Sequence, residues 1–196
     1  MNPSTSRTAL KEWAVTVKAL EQGSQVILLR KGGISEDGKR FAVAHDQFLL
    51  FPTYAHQSVE QLKESAQEEL RSIMANAPTG DSIEFNFWAN VQEVLELSEK
   101  ERVDALYPHH IWVRDYAPKR LRWQPKNPLS LMLLRVYRLE HPVALPYLPV
   151  YGGCKSWVQL DESVPLGNMV PVLTDANFEQ KVNEVKFALA MVDIEK

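Results

Sequence analysis

Hydrophobic and polar positions change period several times along this chain, and the changes divide it into elements. Leu10, Trp13, Val17 and Leu20 recur at helical spacing, with Ser6 as a candidate cap and Gly23 as a stop, which predicts a first helix over 8–22. The apolar run Gln25-Val-Ile-Leu-Leu-Arg30 predicts a strand, followed by turn chemistry in Gly32-Gly33 and Glu36-Asp37-Gly38. Residues 41–43 and 47–51 predict two more short strands, the second closed by Pro52. Ser58-Val-Glu-Gln61 has the spacing of a capping box, and Val59, Leu62, Ala66, Leu70 and Ile73 form one helical face behind it.

The most regular signal follows. Ile83, Phe85, Phe87, Ala89 and Val91 alternate with Glu84, Asn86, Trp88, Asn90 and Gln92, which predicts a half-buried strand with its odd positions inside. Leu95 and Leu97 keep the same parity. A second capping-box pattern, Ser98 with Glu101, opens a short helix that ends before Pro108. Further on the pattern predicts a helix over 116–122, a strand over 129–140, a Pro- and Gly-rich loop over 141–156 and a strand over 157–160. A last helix over 175–192 places Phe178, Val182, Val185 and Leu189 on its buried face. Strands and long helices do not alternate strictly, which argues against a doubly wound parallel sheet. The expected class is α+β: a curved mixed sheet or small barrel with flanking helices. No composition shift marks a linker, so residues 1–196 are expected to form a single α+β domain.

Charge changes this picture in one place. The formal net charge is -3, so no global field draws the protein to nucleic acid or anionic lipid, and an electrostatic partner must be met by a local patch. Such a patch stands between His109 and Arg138: Arg114, Lys119, Arg120, Arg122, Lys126, Arg135 and Arg138, with Asp115 as the lone acid. Trp112, Tyr116, Trp123 and Tyr137 are interleaved with it. Cations with aromatics suit phosphate contact and base stacking. The competing reading pairs these cations with the acidic stretch that precedes them, Glu60 to Glu69 above all.

Two further segments have site chemistry. Leu29-Arg-Lys-Gly-Gly33 ends a strand in two glycines beside Arg30 and Lys31, which suits an anion as well as it suits a hairpin turn. It lacks P-loop spacing, and no motif in the chain asks for a cofactor. Phe51-Pro-Thr-Tyr-Ala-His-Gln57 offers the Tyr54 phenol and the His56 imidazole in a loop between a strand and a helix. Cys154 is the single cysteine. No catalytic signature surrounds it, so it is expected to be structural, and one thiol without a disulfide partner fits the reducing cytoplasm. His109 and His110 are adjacent and no carboxylate pair completes a ligand set, so no metal is expected. The polar start lacks a signal-peptide pattern and no apolar run reaches membrane-spanning length, so no membrane association is expected.

Together Leu29-Arg-Lys-Gly-Gly-Ile34, Phe51-Pro-Thr-Tyr-Ala-His-Gln57, His110-Ile-Trp112, Leu134-Arg-Val-Tyr-Arg-Leu139 and Tyr151-Gly-Gly-Cys-Lys-Ser-Trp157 resemble a bacterial family filed as domain of unknown function 1802. The resemblance extends from about Leu10 to Leu160. That family has no established activity; the association of some members with a restriction-endonuclease-type domain implies a restriction-modification role and transfers no catalytic residue. The layout around Gly23, the strand ending at Arg30, and Leu139-Glu-His-Pro-Val143 is also similar to PUA-like domains of the ASCH and EVE groups. That similarity implies a small curved barrel that binds RNA or a modified base. The function expected is therefore a nucleic-acid-binding module, possible partners being RNA or DNA, linked to restriction-modification or RNA metabolism. Its expected contacts are Arg30, Lys31, Tyr54, His56, Arg114, Lys119, Arg120, Arg122 and Trp123, with Trp88 or Trp157 facing a base. The alternatives are a metal-dependent hydrolase of nucleic acid or nucleotide, using His56 and Glu84, and a protein-interaction subunit without a ligand.

Overall fold

The computed structural model describes residues 3–31, 43–78, 81–123, 125, 127–153 and 155–194. The expected turn at Gly32-Gly33, the strand at Phe41, and the side chains of Lys126 and Cys154 lie outside the described residues. The architecture is α+β, a strongly curved, unclosed mixed sheet with helices packed against it. Its strands are β1 (Thr5–Trp13), β2 (Ile27–Arg30), β3 (Gln47–Thr53), β4 (Ser82–Leu97), β5 (Leu129–Pro146), β6 (Trp157–Pro165) and β7 (Met169–Pro171). The helices are α1 (Ala14–Glu21), α2 (Glu64–Ala75), α3 (Lys100–Ala105), α4 (Tyr116–Arg122) and α5 (Asp175–Ile194). The strand order is β2-β5-β4-β3-β1-β6, with β7 added beside β5. β1 and β3 run parallel, and the other pairs are antiparallel. Among the described residues no helix is long and apolar enough to cross a membrane.

The core explains why some strands read as apolar runs and others as alternations. β2 is buried on both faces: Ile27 and Leu29 pack with Leu131, Leu133 and the α5 residues Val185 and Leu189. Leu28 points the other way, to Leu10, Phe48, Met132 and the α1 residues Val17 and Leu20. A strand covered on both sides loses its period-two signal. β4 keeps the signal over 83–87, where Ile83, Phe85 and Phe87 are no more than 5% exposed, and loses it at Trp88, which is fully buried on the face expected to be outward. Its register against β5 shifts between Phe85 and Phe87 and again between Val91 and Glu93. Bulges re-aim a strand, so residues of one parity serve different parts of the core: Phe85 packs with Phe51 and Leu160, Phe87 with Met132 and Leu134, and Leu97 with Leu129 and Val103.

Four expectations are corrected. The first helix spans only Ala14–Glu21, because Thr5–Trp13 is a strand between β3 and β6. Ala9 and Leu10, on opposite faces of that strand, are both fully buried, and the contribution of Leu10 and Trp13 to the apparent helical period was coincidental. Gly23 does end the helix, at φ 64° and with its N–H donating to the Leu20 carbonyl. The Ser58 box makes a 3-10 turn over Val59–Gln61, and α2 begins at Glu64. Ser58 Oγ bonds to the Glu60 carboxylate at 2.5 Å and leaves the helix N–H groups uncapped. Pro52 does not close β3, which continues to Thr53 in register with β1. The loop expected from residue 141 begins later, since β5 extends to Pro146 against the start of β4.

Candidate functional site

The parallel pairing of β1 with β3 sets Trp13 beside Thr53, so both chains leave the sheet at the same corner. β2 ends there as well, although β5, β4 and β3 separate it from β1 in the strand order. The curl of the sheet brings Arg30 to Glu12, with Nη1 to Oε2 at 2.9 Å. The side chains of this pair are 14% and 10% exposed. The Glu12 carboxylate also accepts the Trp13 N–H, while the Glu12 carbonyl accepts the Thr53 hydroxyl.

Over this corner lies a cleft of about 670 Å³. The ends of β1 and β2 contribute Lys11, Glu12, Trp13, Arg30 and Lys31. β3 and the loop after it contribute Phe51, Thr53, Tyr54 and His56, and β4 contributes Ser82 and Glu84. Arg120 enters from α4, and Tyr147, Lys155 and Ser156 from the segment between β5 and β6. Five cations and several aromatic rings thus face one volume, against the carboxylates of Glu12 and Glu84.

Four of these cations, Arg30, Lys31, Lys11 and Arg120, are held by their surroundings. Lys31, 7% exposed, donates from Nζ to the Leu121 carbonyl at 2.6 Å, and burial lowers its pKa. Lys11 reaches the Gly153 carbonyl at 3.2 Å and lies 5.6 Å from the Phe51 ring centre. Arg120 sits 4.7 Å over Tyr116, Tyr116 stacks on Trp112 at 4.1 Å, and Trp112 meets Trp13 edge-on at 5.0 Å. This aromatic chain fixes one wall. Gln57 anchors the opposite loop by accepting the Val15 N–H at 3.1 Å at the start of α1. His56 takes φ 62°, a conformation uncommon for a side-chain-bearing residue, and is exposed at the cleft. The Tyr54 phenol is raised in pKa by burial and then by the negative charge of Glu84.

Of the contacts expected from sequence, Arg30, Lys31, Tyr54, His56 and Arg120 converge on this cleft. Arg114, Lys119, Arg122 and Trp123 do not line it and are exposed. Arg114 lies 4.2 Å over the Tyr107 ring, and Lys119 pairs with Asp115 at 3.7 Å. The end of the basic segment is structural: Arg135, 5% exposed, bonds to Asp175 and Thr174 at the start of α5, and Arg138 pairs with Glu21. The expected pairing with α2 is not what holds these groups, since Glu68 pairs with Arg71 and Glu69 accepts from Gln22.

Trp88 is fully buried against Tyr137 and has no face for a base. Trp157 packs edge-on to Phe48 and His45. Tyr151 is also buried, its hydroxyl accepting the Asp161 N–H. Lys11, Glu12, Trp13, Tyr147 and Lys155 were missed by sequence reasoning. Lys155 had a signal in the Gly-Gly pair at 152–153; the others stood in a presumed helix or loop. The His56 and Glu84 of the hydrolase alternative both line the cleft. Among the described residues no three His, Cys, Asp or Glu side chains gather where a metal ion would sit.

Residues 9–184 match the model of a family described as Domain of unknown function (DUF1802). No curated protein sequence matches the chain. Among solved structures, a mutant of the ASCH protein ZmASCH from Zymomonas mobilis is similar at 9% identity and a TM-score of 0.46. That match covers 93% of this chain and 98% of the other.

Proposed function

We propose that this chain, which belongs to the DUF1802 family, binds unpaired nucleic acid, with one nucleotide in the cleft and its neighbours along α4. The observation that carries the reading is the convergence of Arg30, Lys31, Arg120, Lys11 and Lys155 with Trp13, Tyr54 and Tyr147 around one volume of about 670 Å³. Cations hold phosphates, aromatic walls hold a base, and every base has a ring face to offer them. A duplex keeps its bases stacked inside, so the aromatic walls favour a strand end, a loop or a base turned out of its stack. Arg120 belongs to both parts of the surface, because Lys119 and Arg122 stand beside it on α4 and Trp123 follows directly. The phenol, hydroxyls and carboxylate in the cleft are the polar groups that would discriminate one base, or one modified base, from another. Such a reader beside a nuclease would serve restriction-modification; alone it would serve RNA metabolism.

The test is binding of fluorescent single-stranded RNA and DNA oligomers, with duplexes for comparison, across a salt series. Contact with about three phosphates on a single strand gives a log–log slope near -2. Single strands should bind more tightly than duplexes, and Arg30→Ala and Arg120→Ala should each weaken them. Absence of binding to micromolar oligomer at low salt would overturn the reading.

A further inference from the structure

We propose that Lys31 is a covalent amine, whose Nζ forms an imine with the aldehyde carbon of a phosphate-bearing ligand in the cleft. Three observations place it in that role. It lines the cleft yet is 7% exposed, unlike a lysine that meets phosphate as a solvated point charge. Its ammonium donates to a neutral acceptor, the Leu121 carbonyl, while Glu12, the buried carboxylate of the cleft, is engaged by Arg30 and the Trp13 N–H. Two guanidiniums, Arg30 and Arg120, line the same volume. Burial favours the neutral amine, the form that attacks carbonyls, and lowers the pKa of this group.

The cleft also holds what the reaction needs. The nitrogen lone pair attacks the aldehyde carbon, a C–N bond forms, and one of the two nitrogen protons passes to the carbonyl oxygen to give a neutral carbinolamine. A second proton lets that oxygen leave as water while the nitrogen loses its own proton. Amine and aldehyde become imine and water, with no oxidant or reductant. His56, Glu84 and the Tyr54 phenol line the same volume and can carry these protons. Arg30, Arg120 and Lys155 suit the phosphate. Two sources share this chemistry: an abasic site in a strand, whose sugar opens to an aldehyde between two phosphates, and a small phosphorylated aldehyde. The inference rests on the cleft being an anion site; its nucleic-acid source rests on the function proposed above.

The experiment is reductive trapping. The full chain is incubated with cyanoborohydride and one of three probes: a single-stranded oligonucleotide with one abasic site, the same oligonucleotide intact, and glyceraldehyde 3-phosphate. Adducts are read by intact mass and located by peptide mass, with oligonucleotide binding measured in parallel. The expected result is an adduct on Lys31 with an aldehyde probe and none with the intact strand. Trapping should fall at least ten-fold in Lys31→Arg and Lys31→Ala but not in Lys186→Ala. If the Lys31 variants fail to fold, the site of the adduct on the wild-type chain decides. Adducts spread over other lysines, or no adduct with either aldehyde, would overturn the proposal. Binding of the strand without an adduct sinks the imine and leaves the nucleic-acid reading standing. An adduct with the small aldehyde but no strand binding upholds Lys31 and sinks that reading.

Discussion

Glu12 and Arg30 form an ion pair of 2.9 Å between two strands that β5, β4 and β3 separate in the order of the sheet. The contact shows how far the sheet curls: its end strand β2 returns to β1 without a backbone ladder, and the side chains bridge the gap instead. The candidate site lies over that gap. An open sheet edge has unpaired backbone and a concave surface, and here the concavity is lined with cations and rings.

Removing one partner of this pair should destabilise the fold, because it leaves the other charge mostly buried. Arg30→Met and Glu12→Leu should each cost about 3 kcal/mol, near the low end for buried pairs because one side faces the cleft. The double variant should recover much of that loss, since two apolar side chains leave no orphaned charge. Urea midpoints for the two single variants and the double variant measure the coupling. Simple additivity of the two losses would show that the pair is not a latch.

β4 provides a test of the core. Phe85 is fully buried, with its ring 5.8 Å from that of Phe51. Phe85→Ala should cost about 3–5 kcal/mol through lost burial and the cavity left behind. Glu84→Ala, one residue away and exposed, should change stability by no more than about 0.5 kcal/mol. Equal losses from the two variants would contradict the alternation of the strand.

These two cases also show what was legible in the sequence. The alternation over 83–87, the helix at Tyr116–Arg122 and the last helix could be read because each has one buried face, and burial on one face writes a period. β1 could not be read in that way. Ala9 and Leu10 are both buried and Trp13 packs on Trp112, so its pattern carried no strand signature. Half of the site shared that fate. Arg30, Lys31, Tyr54 and His56 stood in segments with their own turn and loop chemistry. Lys11, Glu12 and Trp13 became part of it only through the parallel register that sets Trp13 beside Thr53. Such long-range pairing leaves no local mark.

The two parts of the proposed binding surface should separate in a salt series. Lys119→Ala and Arg122→Ala, on the exposed side of α4, should each flatten the log–log slope by about 0.7 if each meets one phosphate of a single strand. They should leave sequence or modification preference unchanged, because phosphate contacts position without specifying. Tyr54→Ala should do the reverse, weakening binding by about 1–3 kcal/mol if the ring stacks on a base while leaving the salt slope unchanged. Fluorescence titration at several salt concentrations reads both quantities.

His110 gives the protein a predictable response to acid. It is 5% exposed, and its Nδ1 accepts the Trp112 N–H at 3.2 Å, an interaction that requires the neutral ring. Burial, reinforced by the positive charges of Lys63 and His109, lowers its pKa from 6.5 to about 4. The neighbouring His109 is lowered too, chiefly by burial. The unfolded chain therefore takes up protons near pH 6.5 that the folded chain refuses until about pH 4. Stability is full above the unfolded value and falls as pH drops through that window, because the unfolded state binds more protons there. The shift corresponds to at most about 3 kcal/mol. His110→Asn retains a hydrogen-bond acceptor without a titrating group, so its unfolding free energy should fall less steeply between pH 6.5 and 4 than that of the parent. Urea unfolding of both proteins across that range measures the difference. Parallel curves would mean that His110 is protonated, or its pocket hydrated, in the folded state.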